Sequence, residues 1–236
     1  MTARPPTLAA IEAAFEDAGL VPRGAFHPSP DDGVPPLADG RATATLVLAG
    51  NAGPGMWEAF ARAPEIDDGE AHPLDRWTRR VLAEIADALG GGALFPFGGP
   101  PYLPFQRWAM RGHPVAPSPI GPLIDPDYGL WHAYRGALAF AETIALPPRR
   151  EIASPCETCT ERPCLATCPV GAFTAGGYDV AACAAHLETP AGSDCMEHAC
   201  RARRACPIGR AHAYSPAQAR FHMDAFRANR RARRNP

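Results

Sequence analysis

Apolar residues recur at helical spacing in two segments and run together in a third, and these mark the regular elements expected in the first half of the chain. Thr7 to Gly19 (TLAAIEAAFEDAG) places its apolar side chains on one helical face and ends in a glycine stop, which predicts an amphipathic helix. Proline and glycine dominate Val21 to Gly40, so a long ordered loop or a broken strand is expected there. Ala42 to Ala49 (ATATLVLA) alternates and then becomes wholly apolar, the pattern of a strand entering a core, and Asn51-Ala-Gly-Pro-Gly ends it. From Pro73 to Leu89 the residues Leu74, Trp77, Val81, Leu82, Ile85 and Leu89 form one stripe, with Pro73 suited to the first turn of a core helix.

Further on the pattern is less regular. Leu94 to Trp108 (LFPFGGPPYLPFQRW) packs four prolines, two glycines and five aromatics into fifteen residues, so it cannot be helical throughout. Such a loop either lines a flat apolar ligand or plugs a core. Leu123 to Phe140 reads as two strands joined by a turn at Asp125-Pro-Asp-Tyr-Gly129, a hairpin beside a sheet. Ser215 to Arg231 reads as a closing helix, with Ser215 as N-cap and Pro216 in the first position.

The chain of 236 residues is long enough for a sizeable core, and it contains no run of eighteen apolar residues that would span a membrane. All 23 basic residues are arginine, as a GC-rich coding bias would produce. Net charge is close to neutral, but from Arg201 onward there are ten arginines against one acid, Asp224, which suggests an anionic partner. The start, Met1-Thr-Ala-Arg-Pro-Pro, offers no secretory apolar region, so a cytoplasmic protein with reduced thiols is expected.

That expectation changes the reading of the cysteines, because all eight lie between Cys156 and Cys206. The first group, Cys156-Glu-Thr-Cys159-Thr-Glu-Arg-Pro-Cys164-Leu-Ala-Thr-Cys168-Pro169, has the spacing CxxCxxxxCxxxCP, in which three thiolates reach one iron–sulfur cubane and a fourth serves another. The partner group is Cys183, Cys195, Cys200 and Cys206-Pro207, so the thiol count matches two [4Fe–4S] clusters. A disulfide framework fits poorly with a cytoplasmic chain, and structural zinc commonly uses CxxC knuckles set a dozen or more residues apart. Iron–sulfur therefore ranks first, zinc second and disulfides last.

The order of cysteines, with a lone Cys183 between a CP turn and a second CP-ending group, resembles that of epoxyqueuosine reductases and the related reductive dehalogenases. That resemblance implies one cluster on Cys156, Cys159, Cys164 and Cys206, and another on Cys168, Cys183, Cys195 and Cys200. The second group, CxxxxCxxxxxC from Cys195, is more widely spaced than in that family. Outside the cysteines, SPIGPLIDPDYGLWHAYRGALAFAETIALPPR, Ser118 to Arg149, and the tail Tyr214-Ser-Pro-Ala-Gln-Ala-Arg-Phe221 resemble CblC-type (MMACHC-like) cobalamin-processing proteins. The two resemblances imply an α+β fold: a flavin-reductase-like or CblC-like antiparallel sheet flanked by helices over residues 1–150. A bacterial-type two-cluster ferredoxin module would follow over 151–210, and a C-terminal helix with an arginine-rich tail over 211–236.

On this basis the expected protein is an iron–sulfur redox protein that passes electrons to a corrinoid such as cobalamin, or to a flavin as the less favoured cofactor, in a reductive reaction. As an enzyme it would be a corrinoid-dependent iron–sulfur oxidoreductase; the alternative is a ferredoxin-like electron carrier without its own catalytic site. Tyr102, Trp108, Tyr128 and Trp131 are candidate walls of a flat pocket. Arg135 corresponds to an arginine that takes part in glutathione binding in the CblC-type family, and otherwise reads as a surface or ion-pair arginine. His113, His132, Asp125 and Tyr102 could donate a proton, though packing or turn chemistry explains each equally well. Arg162, Arg201, Arg203 and Arg204 either influence the clusters or serve solubility. The expected partners are an electron donor such as a flavodoxin or reductase and a small-molecule or corrinoid substrate. Nucleic acid is disfavoured despite the arginine tail, because Phe95 to Trp108 contains no acid where epoxyqueuosine reductases carry a catalytic aspartate, and their long C-terminal repeat region is missing.

Overall fold

The structure, a computed structural model, describes residues 5–234, with side chains as far as residue 232. The opening residues 1–4 and the side chains of Arg233 and Arg234, on which parts of the leader and tail readings rest, lie outside the described residues. The chain forms two compact units: Met1–Pro114 with His132–Glu151, and Val115–Trp131 with Ile152–Pro236. In chain order the elements begin with α1 (Leu8–Asp17), β1 (Val21–Phe26), β2 (Thr45–Ala52), α2 (Gly55–Phe60), α3 (Pro73–Leu89), β3 (Gly92–Leu94) and α4 (Phe105–Gly112). There follow β4 (Ala116–Pro117), β5 (Leu123–Ile124), β6 (His132–Phe140), α5 (Pro163–Ala166), β7 (Phe173–Thr174), β8 (Gly177–Tyr178) and α6 (Val180–Leu187). The last are α7 (Ser193–His198), α8 (Arg201–Ala205) and α9 (Pro216–Arg234). None of the described helices is long and apolar enough to cross a membrane.

The first unit is an antiparallel sheet flanked by helices, an α+β arrangement, with strand order β1-β2-β6-β3. Strand β2 is buried along nearly its whole length and β6 from Gly136 to Phe140, where the residues are mostly apolar because both faces are covered. Side-chain alternation sends Leu46, Leu48, Ala137 and Ala139 to one face, where Phe26, Phe105 and Trp108 complete a core cluster. On the other face Leu82 of α3 lies over Gly136, a position with no room for a Cβ. Helix α3 spans the residues its apolar stripe predicts and buries Leu74, Trp77, Val81 and Leu82. The Thr7 side chain caps α1 by accepting from the Ala10 N–H at 3.2 Å, and Ile11 and Phe15, one turn apart, are wholly buried. The Pro- and Gly-rich stretch after α1 supplies the edge strand β1, which bulges between Pro22 and Ala25.

Apart from the 19-residue α9 the second unit has only short elements, and its described residues form small cores. Ile120, Ile124 and Leu130 pack with Ala202 and Cys206; Trp131 packs with Ala199 and Ala219; and Leu187, Cys195 and Met196 pack with Met223 and Phe226 of α9. The Ser215 hydroxyl receives the Gln218 N–H at 3.3 Å, so the closing helix starts at the expected cap.

The expected hairpin over Leu123 to Phe140 is not formed. Strand β5 pairs with β4, Ala116 opposite Ile124, whereas β6 pairs with β2 and β3 in the other unit. The turn between them is real but local: Asp125 Oδ1 accepts from the N–H groups of Asp127 and Tyr128 at 2.8 and 2.9 Å. Such a turn satisfies its own backbone and does not oblige its flanks to pair.

Candidate metal centre

The sulfurs of the eight cysteines sort into two sets. Cys156, Cys159, Cys164 and Cys206 line one cavity, together with Pro119, Ile124, Arg162, Pro163, Pro207 and Ile208. Cys168, Cys183, Cys195 and Cys200 line a second, with Pro169, Phe173, Leu187, Arg201 and Met223 among its walls. Among the described residues, no three His, Cys, Asp or Glu side chains are placed to hold a metal ion. Each set of four thiols instead stands around a space.

Two short helices explain why neighbours in sequence separate into different sets. Cys164 lies within α5 and Cys168 just beyond its end; Cys200 is the N-cap of α8 and Cys206 its C-cap. A five-residue helix is about 7.5 Å long, so the cysteines at its two ends face different surroundings. Helices α5 and α8 pack on one another, and each, with its flanking residues, brings one cysteine to each cavity. Arg162, which precedes α5, has a left-handed backbone at φ 42°, an uncommon conformation for a non-glycine residue.

The cavities are apolar, and the thiols respond accordingly. Burial pushes the Cys156, Cys164, Cys183 and Cys200 thiols up from their ordinary range, and neighbouring thiols add to the effect. Donors oppose it: the Ser154 hydroxyl at Cys156, the N–H groups of Ala202 and Arg203 at Cys200, and the Tyr178 hydroxyl at Cys183. The Ala172 N–H also donates to the Cys168 sulfur at 3.3 Å. Buried thiols of this kind need a cationic group to ionise, and a metal that binds them displaces their protons. Four sulfur donors around an apolar space fit an iron–sulfur cluster by donor chemistry.

The candidate pocket residues are distributed differently. Trp108 is 0% exposed in the core of the first unit, and its Nε1–H donates to the Asp32 carbonyl at 2.8 Å. Tyr102 is 66% exposed. Arg135 pairs with Asp75 at 2.5 Å and lies over the ring of Phe97, which is the ion-pair reading of that arginine. A cavity of about 300 Å³ in the first unit is lined by Glu12, Gly24, His113, Leu146, Arg149 and neighbours, and by none of Tyr102, Trp108 and Arg135. His132 is buried, edge-on to Tyr134. In the second unit Tyr128 meets His212 edge-on, and Trp131 packs on Tyr214.

The arginines near the thiols divide by role. Arg203 lies between the rings of Trp131 and Tyr214, 4.5 and 4.4 Å from their centroids, and its Nε donates to the Leu130 carbonyl at 2.8 Å, so it ties the small cores together. Arg201 and Arg204 both pair with Asp194. Ser154, whose hydroxyl accepts from the Cys156 N–H at 3.3 Å, was not picked out from the sequence; the available signal was its nearness to Cys156.

No protein-family profile matches the chain, and no curated protein matches it. Among solved structures, a selenomethionine-labelled epoxyqueuosine reductase is similar over 88% of this chain and 70% of its own, at 16% identity and a TM-score of 0.50. The B12-trafficking protein CblC of C. elegans, a homologue of human MMACHC, is similar over 93% of this chain and 95% of its own, at 14% identity and a TM-score of 0.50. At these identities the likeness is one of fold: the antiparallel sheet flanked by helices is an architecture this chain shares with both proteins.

Proposed function

We propose that the chain is a redox protein carrying two [4Fe–4S] clusters, one on Cys156, Cys159, Cys164 and Cys206 and the other on Cys168, Cys183, Cys195 and Cys200. The observation that carries this reading is the division of eight thiols into two sets of four around separate apolar cavities. A bound cluster of this type supplies electrons one at a time. The chain's own residues hold the thiols on short capped helices, exclude water with Pro119, Ile124, Ile208, Leu187 and Met223, and direct hydrogen bonds at the sulfurs. The second unit would thus work as a two-cluster ferredoxin-like module.

The electrons are destined for a corrinoid, or for a flavin as the less favoured acceptor, on the CblC-like first unit, in a reductive reaction supplied by a flavodoxin-type or reductase-type donor in the cytoplasm. The fold shared with CblC and epoxyqueuosine reductase supports a corrinoid on this scaffold. A second reading, an electron carrier with no catalytic site, is favoured by two particulars. Trp108 is committed to the core through Asp32, and Arg135 is committed to Asp75.

Anaerobic reconstitution followed by titration with cob(II)alamin separates the readings. About eight irons and eight labile sulfides per chain are expected for the two clusters. A saturable change in the cobalamin bands, with conversion to cob(I)alamin once the clusters are reduced, supports the corrinoid reductase. Full iron and sulfide with no response from cobalamin leaves the carrier. A colourless protein without sulfide overturns both in favour of zinc.

A further inference from the structure

The cavity of about 300 Å³ in the first unit is lined by no cysteine, and its walls come from separate stretches of chain. Leu8 and Glu12 belong to α1, one turn apart and so on one side of the helix, where Glu12 flanks the stripe that buries Ile11 and Phe15. Pro22 and Gly24 belong to β1 at its bulge. Gly24 has φ 94°, and a Cβ there would lie 2.3 Å from the Gly112 carbonyl oxygen, so the end of α4 is drawn tight against the edge strand and brings His113 into the wall. The remaining wall is the stretch Leu146-Pro147-Pro148-Arg149. Its prolines, with Pro22, have fixed φ, so the wall keeps one shape before any ligand arrives.

Two opposite charges line this space without neutralising each other. Among the described residues no ion pair joins Glu12 to Arg149, and the charge that acts on Glu12 is the like charge of Glu16, one turn further along α1. Burial and this repulsion push the Glu12 carboxyl up from its ordinary range. Arg149 donates to the His113 carbonyl at 3.4 Å and meets no carboxylate among the described residues. A carboxylate partly removed from water beside a like charge is stabilised by an ammonium group, and a guanidinium by a carboxylate. We propose that the cavity binds a small zwitterion with an apolar body, of the class of the apolar α-amino acids, with its ammonium at Glu12, its carboxylate at Arg149 and its side chain against Leu8, Pro22 and Leu146. Small-molecule sites begin at about 300 Å³, which suits a molecule of amino-acid size. The site is independent of the proposed clusters.

The test is calorimetric titration of the full chain with L-leucine, L-methionine and L-phenylalanine. At least one is expected to bind saturably. The amide of the tightest binder, which lacks its carboxylate, and the corresponding des-amino acid, which lacks its ammonium, are each expected to bind about tenfold more weakly, the effect of losing one charged hydrogen bond. Glu12→Gln is expected to weaken the amino acid by about the same factor and to leave the des-amino acid no weaker; Arg149→Gln is expected to weaken the amino acid alike and to leave the amide no weaker. Glu12 is only partly buried and Arg149 is exposed, and the two analogues put the same question with no variant at all. No saturable binding of any of the three amino acids up to about 10 mM overturns the proposal. So does an amide or a des-amino acid that binds as well as its parent, which would make the cavity a site for cations or for anions, and so does binding that neither variant weakens, which would place the ligand elsewhere.

Discussion

Cys159 stands with Cys156, Cys164 and Cys206 around one cavity, and removing it leaves three sulfur donors where four are needed. Cys159→Ala is expected to lose or convert that cluster, lowering iron and sulfide towards about half when the cluster is lost, while the signal from the Cys168 set persists. Unchanged iron, sulfide and reduced-state spectrum would show that Cys159 is no ligand. Trp108 poses a different question at the same scale. Its indole N–H is spent on the Asp32 carbonyl, so Trp108→Phe should destabilise the first unit by about 1–3 kcal/mol in chemical denaturation. A variant of normal stability with weakened cobalamin binding would return Trp108 to a pocket wall. Asp32 also carries a pH dependence. Burial raises its carboxyl, but hydrogen bonds from the Ser29 N–H and hydroxyl, at 2.7 and 2.8 Å, and the charges of Arg111 and Arg107 outweigh this and hold it below the usual carboxylate range. Its contribution to stability is therefore present above the unfolded value, about 3.9, and is lost as pH falls through the lower folded value. Asp32→Asn should be less stable at neutral pH and should decline less on acidification, as urea unfolding across pH will show.

Among the elements, the approach of the 125–131 turn to the chain after α8 controls the first cavity. Gly129 has φ 58° and a Cβ there would lie 2.0 Å from the Ile208 carbonyl oxygen; Gly209 has φ 70° and its Cβ would meet Tyr128 at 2.2 Å. Both backbones must pass where a side chain cannot, and Ile208 lines the cavity of Cys156, Cys159, Cys164 and Cys206. Gly129→Ala is expected to cost about 1–3 kcal/mol through its backbone strain alone, and to reduce iron retention at that set before the other, as timed chelation followed by magnetic resonance will reveal. Helix α9 was expected as a closing helix with an arginine-rich tail. Its Met223 and Phe226 pack on Leu187, Cys195 and Met196, and Arg231 pairs with Glu188 of the same unit, so its described part helps to build the second set. An arginine count reports charge, whereas packing is carried by the apolar residues between the arginines.

For the whole molecule, the two units differ in what sustains them. The first has a sheet with wholly buried residues such as Phe15, Leu46, Trp108 and Phe140, and it contains no cysteine. The cores of the second include the thiols themselves: Cys156, Cys164, Cys200 and Cys206 in one, Cys183 and Cys195 in another. Where ligands form part of the core, binding free energy becomes folding free energy. On the proposed two-cluster reading, stripping metal from the reconstituted protein is therefore expected to speed amide hydrogen exchange across 152–212 while the strands β2 and β6 stay protected; uniform protection in the stripped protein would argue against a structural role for the proposed clusters.

Helices α1, α3 and α9, the core strand β2 and the close spacing of the cysteines were legible in the residues because each depends on neighbours within a turn or two of chain. A stripe at i, i+3 and i+4, a Thr or Ser cap, or a CxxC run is a local fact. The helices α5 to α8 were not legible, since at four to eight residues they are too short for a period to emerge. Nor was the interleaving, in which the chain leaves the first unit at Pro114, gives Val115–Trp131 to the second, and returns with β6. Apolar alternation announced both β5 and β6, but strand pairing is a long-range choice made by the whole set of backbone donors and acceptors, and here it gave them different partners. The β7–β8 hairpin belongs to the same category: its residues are local, whereas its closure depends on Tyr178 stacking on Phe173 and on the Asp179 N–H reaching the Ala172 carbonyl. Short-range sterics and capping write the elements and the ligand spacing into the chain; which surfaces meet follows from distances that exist only once the chain has folded.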